Sequence, residues 1–254
     1  NAARVFEALQ IAPAERRWFT DMPVAPEPRE VVFFLSCFFH QTSQDLFTAL
    51  DILDRLGINY AALGGVDFCC GEMDLSVGNR DRSDRLARRL TEAILVFQPK
   101  AVVFLCGGCY YRFKHHLPLF LELPFEIKPL SQFYLEHLDS IHLIRRVEEK
   151  VTYHDPCGLG RRSGVFDAPR ELIRKVPGID LVEMAQARDG SRCCGGMTMI
   201  TNPPLASSLG EELGKAVAGT NSGKVITSCT GCHLTLKRLG GRWNSSAETY
   251  ISLL

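Results

Sequence analysis

The sequence predicts an α/β fold of two tandem, similar domains, each a small parallel sheet flanked by helices. Three observations predict it: short apolar runs rich in β-branched and aromatic residues, amphipathic stretches alternating with them, and a cysteine pattern that occurs twice. Strands that alternate with helices lie parallel, because each crossover returns the chain to the same end of the sheet.

In chain order, Glu30-Val-Val-Phe-Phe-Leu-Ser36 is a nearly continuous apolar run, as expected of a strand covered on both faces. A helix is predicted over Gln44–Leu56, closed by Gly57, and another over Ser83–Phe97, stopped by Pro99. Lys100-Ala-Val-Val-Phe-Leu105 is the next strand. The second half repeats the scheme with a strand at Lys150-Val-Thr-Tyr153, helices over Pro169–Val176 and Leu205–Val217, and a strand at Lys224-Val-Ile-Thr-Ser228. Every predicted strand ends at a cysteine or just short of one. The expected organisation is an N-terminal extension over 1–30, a first domain over 31–148 and a second over 149–254, related by a pseudo-twofold axis. The seam is placed in the polar and charged stretch Leu138–Lys150, near residue 148.

The duplication is read from the ten cysteines. The first half holds Cys37, the adjacent pair Cys69 and Cys70, then Cys106 and Cys109; the second holds Cys157, then Cys193 and Cys194, then Cys229 and Cys232. The intervening residues number 31, 35 and 2 in one half and 35, 34 and 2 in the other, with no cysteine left over. Neighbours repeat too: Cys69-Cys70-Gly71 matches Cys193-Cys194-Gly195, and Cys106-Gly-Gly-Cys109 matches Cys229-Thr-Gly-Cys232. In parallel sheets ligands sit beyond the carboxyl ends of the strands, where these cysteines fall, so five sulfurs per half can converge.

Composition narrows the function. With 46% hydrophobic residues in 254, the chain buries a core large enough to hold without disulfide staples, so cysteines grouped beside glycine read as intracellular ligands. Basic and acidic side chains balance at 29 each, which leaves no overall field drawing the molecule to nucleic acid or anionic lipid. Apolar runs such as Val31–Leu35 are far shorter than the roughly 20 residues of a membrane-spanning helix. A cytoplasmic protein that reaches a membrane only through partners is expected. The opening Asn1-Ala2-Ala3 lacks an initiator Met and a charged-then-apolar leader, as a piece of a longer polypeptide would.

Thiolates are soft ligands that suit iron–sulfur clusters, zinc or copper(I). A structural zinc ion is saturated by four ligands, and an adjacent Cys-Cys pair chelates one tetrahedral ion only with strain. Five thiolates with such a pair fit a multi-iron centre better, since neighbouring sulfurs can point at different irons; two zinc sites are the competing reading. Gly71, Gly107, Gly108, Gly195, Gly196 and Gly231 clear side chains where backbone approaches sulfide and permit positive φ; making turns is their alternative role.

Two copies of Cys–(long)–Cys-Cys-Gly–(long)–Cys-x-x-Cys resemble the cysteine-rich CCG domain family, of which the B-type polypeptide of heterodisulfide reductase is a well-understood member. Tyr153-His-Asp-Pro-Cys157-Gly-Leu-Gly-Arg161 and Cys193-Cys-Gly-Gly196 are close to the family's usual second repeat. The resemblance implies that Cys37, Cys69, Cys70, Cys106 and Cys109 hold one noncubane [4Fe-4S] cluster and Cys157, Cys193, Cys194, Cys229 and Cys232 another. It implies a redox subunit that reduces or forms a disulfide or related sulfur bond; related members instead pass electrons from a flavoprotein dehydrogenase to quinone. Residues 1–36 lack the closely spaced cysteines of a ferredoxin-like segment, so the resemblance implies electrons from a separate subunit or from another part of the same polypeptide; the implied partners are a ferredoxin-like or flavoprotein electron-transfer subunit and a membrane-bound or quinone-linked one.

His154, three residues before Cys157, is a candidate proton donor to a product thiolate, with bonding of its loop as the competing role. Arg161 is a candidate fork for a substrate carboxylate or phosphate, as is Arg162; solvated surface arginine is the alternative. Asp155 reads as a turn or capping residue before Pro156. His40 and His233 are proton relays or loop-packing residues, Phe38, Phe39, Tyr110 and Tyr111 shield the centres or simply pack, and the Arg80–Arg89 run is a solvated helix face.

Overall fold

The computed structural model describes residues 17–22, 26–137 and 146–254, without the side chains of His40 and Ser43. The chain divides into two compact units, Asn1–Leu130 and Ser131–Leu254. Most of the expected N-terminal extension and most of the expected seam lie outside the described residues.

The first unit carries a four-stranded parallel sheet of order β2-β1-β3-β4, with β1 Val31–Ser36, β2 Tyr60–Gly64, β3 Ala101–Phe104 and β4 Glu126–Pro129. Every residue of β1 is buried, which explains its apolar run: it is central, with β2 on one edge and β3 on the other. α1 (Ser43–Arg55) returns the chain from β1 to β2, and Gly57 closes it at φ 67°. α2 (Glu72–Ser76) and α3 (Arg80–Leu95) lead to β3, and α4 (Gly107–Tyr111) follows β3 directly. α3 starts three residues ahead of expectation because Asn79 caps it, accepting a hydrogen bond from the Arg82 N–H at 3.4 Å. α5 (Leu130–Glu136) follows β4 and from Ser131 on belongs to the second unit.

The second unit repeats this topology element for element. Its sheet has the order β6-β5-β7-β8, all parallel, with β5 Glu149–His154, β6 Ile179–Val182, β7 Lys224–Thr227 and β8 Ser246–Thr249. α6 (Asp167–Lys175), α7 (Thr198–Thr201), α8 (Pro203–Ala218) and α9 (Thr230–Gly240) connect and flank the strands. Asn202 caps α8, accepting from the Leu205 N–H at 3.1 Å, with Pro203 and Pro204 in the first turn. The register identifies equivalent positions: Phe34 pairs with Phe104 as His154 pairs with Thr227, and Phe34 and His154 each stand three residues ahead of the cysteine that follows their central strand.

Candidate metal centres

The cysteines collect beyond the carboxyl ends of the parallel strands. Cys37 follows β1 immediately, Cys106 lies two residues past β3, Cys157 three past β5 and Cys229 two past β7. Cys106 and Cys229 stand at the N-caps of α4 and α9, so Cys109 and Cys232 fall in the first turn of each helix, on the face that carries their partner cysteine. Cys69-Cys70 and Cys193-Cys194 arrive on the loops ahead of α2 and α7.

Each half brings its five sulfurs together, each close enough to act on the charge of the next, and the order of neighbours is the same in both. In the first, Cys37 meets Cys69, Cys69 meets Cys70, Cys70 meets Cys109 and Cys109 meets Cys106. In the second, Cys157 meets Cys193, Cys193 meets Cys194, Cys194 meets Cys232 at 3.4 Å, and Cys232 meets Cys229. All ten are thiols, none in a disulfide.

Backbone N–H groups point at the same sulfurs. Gly71 donates to Cys69 Sγ at 3.4 Å and Gly195 to Cys193 Sγ at 3.3 Å, while Glu72 and Gly196 donate to Cys70 and Cys194. Thiol neighbours and these amides together favour the thiolate, so Cys69 is pulled down to about 3 by hydrogen bonds from Cys37 and Cys70, and Cys193 to about 2 by those from Cys157 and Cys194. Their partners move the other way. Contact with Cys69 and burial push Cys37 up, as contact with Cys193 does for Cys157, and Cys194 is pushed up to about 12 by Cys193.

Gly71 and Gly195 make these turns possible. Both are left-handed, at φ 77° and 80°. A Cβ on Gly71 would lie 2.4 Å from the carbonyl oxygen of Ser83 in α3, and one on Gly195 2.9 Å from that of Ala206 in α8. Gly107, Gly108, Gly196 and Gly231 do not share the positive φ. At Gly108 and Gly231 a Cβ would meet the sulfur of Cys106 or Cys229 at 3.8 and 3.9 Å, so these glycines leave room beside a ligand instead of setting the turn.

Two clusters of five soft donors, reached by amide hydrogen bonds and built on one repeated topology, are matched by the CCG family, described as a cysteine-rich domain, at residues 31–114 and again at 151–237. The chain belongs to the CCG cysteine-rich domain family. It is 35% identical over 217 residues to the D-type polypeptide of the dihydromethanophenazine:CoB–CoM heterodisulfide reductase of Methanosarcina barkeri, covering 82% of this chain and 53% of that protein. Its counterpart in Methanosarcina acetivorans is 34% identical over 239 residues, covering 90% and 58%. The B-type polypeptide of a fumarate reductase (CoM/CoB) from Methanothermobacter marburgensis is 31% identical over 209 residues, covering 81% and 41%. The chain thus spans about half the length of the curated relatives it matches. No helix among the described residues is long and apolar enough to cross a membrane.

In the second CCG repeat, the loop that carries Cys157 hangs on a buried ion cluster. Asp155 is not a turn cap: its carboxylate is buried, accepts from both Nη atoms of Arg170 at 2.7 Å, and accepts the Arg188 backbone N–H at 2.8 Å. Arg170, fully buried, spends its remaining donors on Glu183 at 2.7 and 2.9 Å and on the Phe166 carbonyl at 2.8 Å, which occupies all five N–H groups. Its guanidinium lies over the Tyr153 ring, 4.8 Å from the centroid. Burial opposes the charge on Arg170, but the bonds to Asp155 and Glu183 outweigh it and hold the guanidinium charged. Sequence reading missed Arg170 and Glu183, since nothing local in α6 or β6 sets their charges apart from solvated ones.

His154 ends β5 fully buried, with neither ring nitrogen hydrogen-bonded. One ring nitrogen and the sulfurs of Cys194 and Cys232 all lie within 4.8 Å of one another, and Cys193 and Cys229 are also close enough to act on its charge. Burial lowers its tendency to take a second proton. Loop bonding by its ring is therefore not what the structure shows. His233 does take the packing role, donating Nε2–H to the Ala247 carbonyl at 3.1 Å. Arg161 commits Nη1 to the carbonyls of Asp189 and Ser191, at 3.3 and 3.2 Å, tying the Cys157 loop to the segment that enters Cys193. Phe39 packs against Trp18 with ring centroids 5.5 Å apart. The Arg80–Arg89 face is exposed at Arg82, Arg85, Arg88 and Arg89, but Asp84 on it pairs with buried Arg112 at 2.5 Å.

Proposed function

We propose that this chain is an iron–sulfur oxidoreductase subunit that reduces or forms a disulfide, or a related sulfur bond, at two noncubane [4Fe-4S] clusters. Cys37, Cys69, Cys70, Cys106 and Cys109 hold one cluster, and Cys157, Cys193, Cys194, Cys229 and Cys232 the other. What carries the reading is the pair of five-sulfur chains, wired in the same order in both halves. The donor chemistry fits: five sulfurs exceed a zinc ion's four, and adjacent thiolates serve different irons. When bound, such clusters supply the single-electron steps that a disulfide, taking up two electrons and two protons to give two thiols, requires. The protein's part is to hold the sulfurs and direct Gly71, Glu72, Gly195 and Gly196 N–H groups at them, with Arg161, whose Nη1 is held by the Asp189 and Ser191 carbonyls, as the anion-binding group of this reading. Ten free thiols suit a reducing, cytoplasmic compartment. The partners in this reading are a ferredoxin-like or flavoprotein electron-transfer subunit and a membrane-bound or quinone-linked one.

A second reading is favoured by a relative from Chromohalobacter salexigens described as a probable membrane-anchored ferredoxin, 26% identical over 229 residues: an electron-transfer subunit that links a flavoprotein dehydrogenase to quinone or another acceptor, with the clusters as relays. One experiment separates them. The iron-loaded, chemically reduced chain is mixed anaerobically with an anionic disulfide, and cluster oxidation is followed with thiol release. Two electrons leave the clusters per disulfide cleaved if the first reading holds, and Arg161→Ala raises the disulfide concentration needed by about tenfold, as loss of a charge-assisted hydrogen bond would. Clusters that give electrons to a flavin or quinone but leave the disulfide intact overturn it in favour of the relay.

A further inference from the structure

The two five-sulfur sets share their wiring but not their surroundings, and the sharpest difference falls at one register position. Phe34 in the first unit, fully buried, packs edge-on against its sheet neighbour Phe104, ring centroids 5.8 Å apart. The equivalent pair in the second unit is His154 and Thr227. Thr227 Oγ1 donates to the His154 carbonyl at 3.2 Å, so the pair is polar where its counterpart is aromatic. An apolar ring would fill this place at no desolvation cost, as Phe34 does. An imidazole here takes two polar nitrogens out of water, and no protein group receives them. What one of them has within 4.8 Å is sulfur, that of Cys194 and Cys232, with Cys193 and Cys229 near enough to act on the ring's charge. His233, by contrast, spends a nitrogen on a backbone carbonyl, which is how a histidine with a packing role is satisfied.

We propose that His154 donates a ring N–H to sulfur of the second metal–sulfide centre and so raises that centre's reduction potential above the value its five cysteines alone would give. This rests on the iron–sulfur reading above. Hydrogen bonds to cluster or cysteinyl sulfur stabilise the reduced, more negative state, and burial away from water strengthens each one. The first centre has amide donors from Gly71 and Glu72 that match those from Gly195 and Gly196 in the second, so His154 is a donor by which the two differ. His154 is a positioning and tuning residue: it holds a hydrogen bond and keeps its proton.

The test uses the whole chain, reconstituted anaerobically with iron and sulfide, titrated potentiometrically and read by electron paramagnetic resonance. His154→Phe, which installs the first unit's residue, is expected to lower the potential of one centre and leave the other unmoved. His154→Gln, whose amide retains an N–H, restores part of the shift. In the wild-type chain, isotope-labelled histidine nitrogen is expected to couple to that same centre, with the coupling lost in His154→Phe. An iron-loaded His154→Phe with both potentials unchanged overturns the proposal. Should that variant take up no iron, the wild-type spectrum decides: a missing nitrogen coupling overturns the proposal equally. A wild-type chain without iron and sulfide overturns the iron–sulfur reading itself, a different and separable failure.

Discussion

Replacing Arg170 with alanine is expected to destabilise the second unit by about 3–5 kcal/mol, because it strands a buried carboxylate without its counter-charge. Asp155 loses both guanidinium bonds, Glu183 loses two, and the Phe166 carbonyl loses its donor. For a chain of this size that is a fall in melting temperature of roughly 6–20 °C. The effect reaches the cysteines through two covalent links, Asp155-Pro156-Cys157. Iron held by the second set should therefore be lost more readily than iron held by the first, as measured by iron release on mild heating. Arg170→Lys should recover little, since an ammonium cannot fork to two carboxylates at once. Equal stability and equal iron retention in Arg170→Ala would show that the ion cluster does not support the Cys157 loop.

Gly71→Ala is expected to remove the first centre. The substitution forces a side chain into a left-handed backbone at a cost of about 1–2 kcal/mol. It also drives the new Cβ to 2.4 Å from the Ser83 carbonyl oxygen, a backbone atom that no rotamer change moves. Relief requires either α3 to shift or the turn to open, and opening the turn withdraws the Gly71 N–H from Cys69. Gly78→Ala separates strain from clash: Gly78 has φ 84° but nothing within 4 Å of its Cβ position. It should lose only the conformational term and keep its iron. Gly195→Ala, with 2.9 Å to the Ala206 oxygen, falls between them. Iron content and melting temperature of the three variants check the order, and a Gly71→Ala protein indistinguishable from Gly78→Ala would contradict it.

The parts of the fold most legible in the sequence are the inner strands. β1, β3, β5 and β7 have a strand on each edge, and the residues beyond their first one or two are buried, which gives the apolar runs. β2, β4, β6 and β8 were not read as strands. They are the edges: β4, β6 and β8 are partly exposed, and Glu126-Ile-Lys-Pro129 or Ser246-Ala-Glu-Thr249 carries too little periodicity to mark a strand, while β2 is largely buried but its Tyr60-Ala-Ala-Leu-Gly64 is poor in β-branched residues. The cysteines were legible because a repeat is a non-local signal that survives loss of local pattern. The ion cluster was not, because Asp155, Arg170 and Glu183 come together only through the crossover from β5 through α6 to β6. For His154 the sequence left two roles open, proton donor or loop bond. Only the packed structure shows both ring nitrogens without a hydrogen bond and one of them near the sulfurs of Cys194 and Cys232.

The central claim is that each half holds its own iron–sulfur centre on five cysteines. Anaerobic iron and acid-labile sulfide analysis of the wild-type chain beside Cys70→Ser and Cys194→Ser tests it most directly. Iron and sulfide in equal amounts are predicted, with each variant retaining half of what the wild-type chain holds and no zinc in any of them. Zinc without labile sulfide, or a variant that loses nothing or everything, would contradict the account.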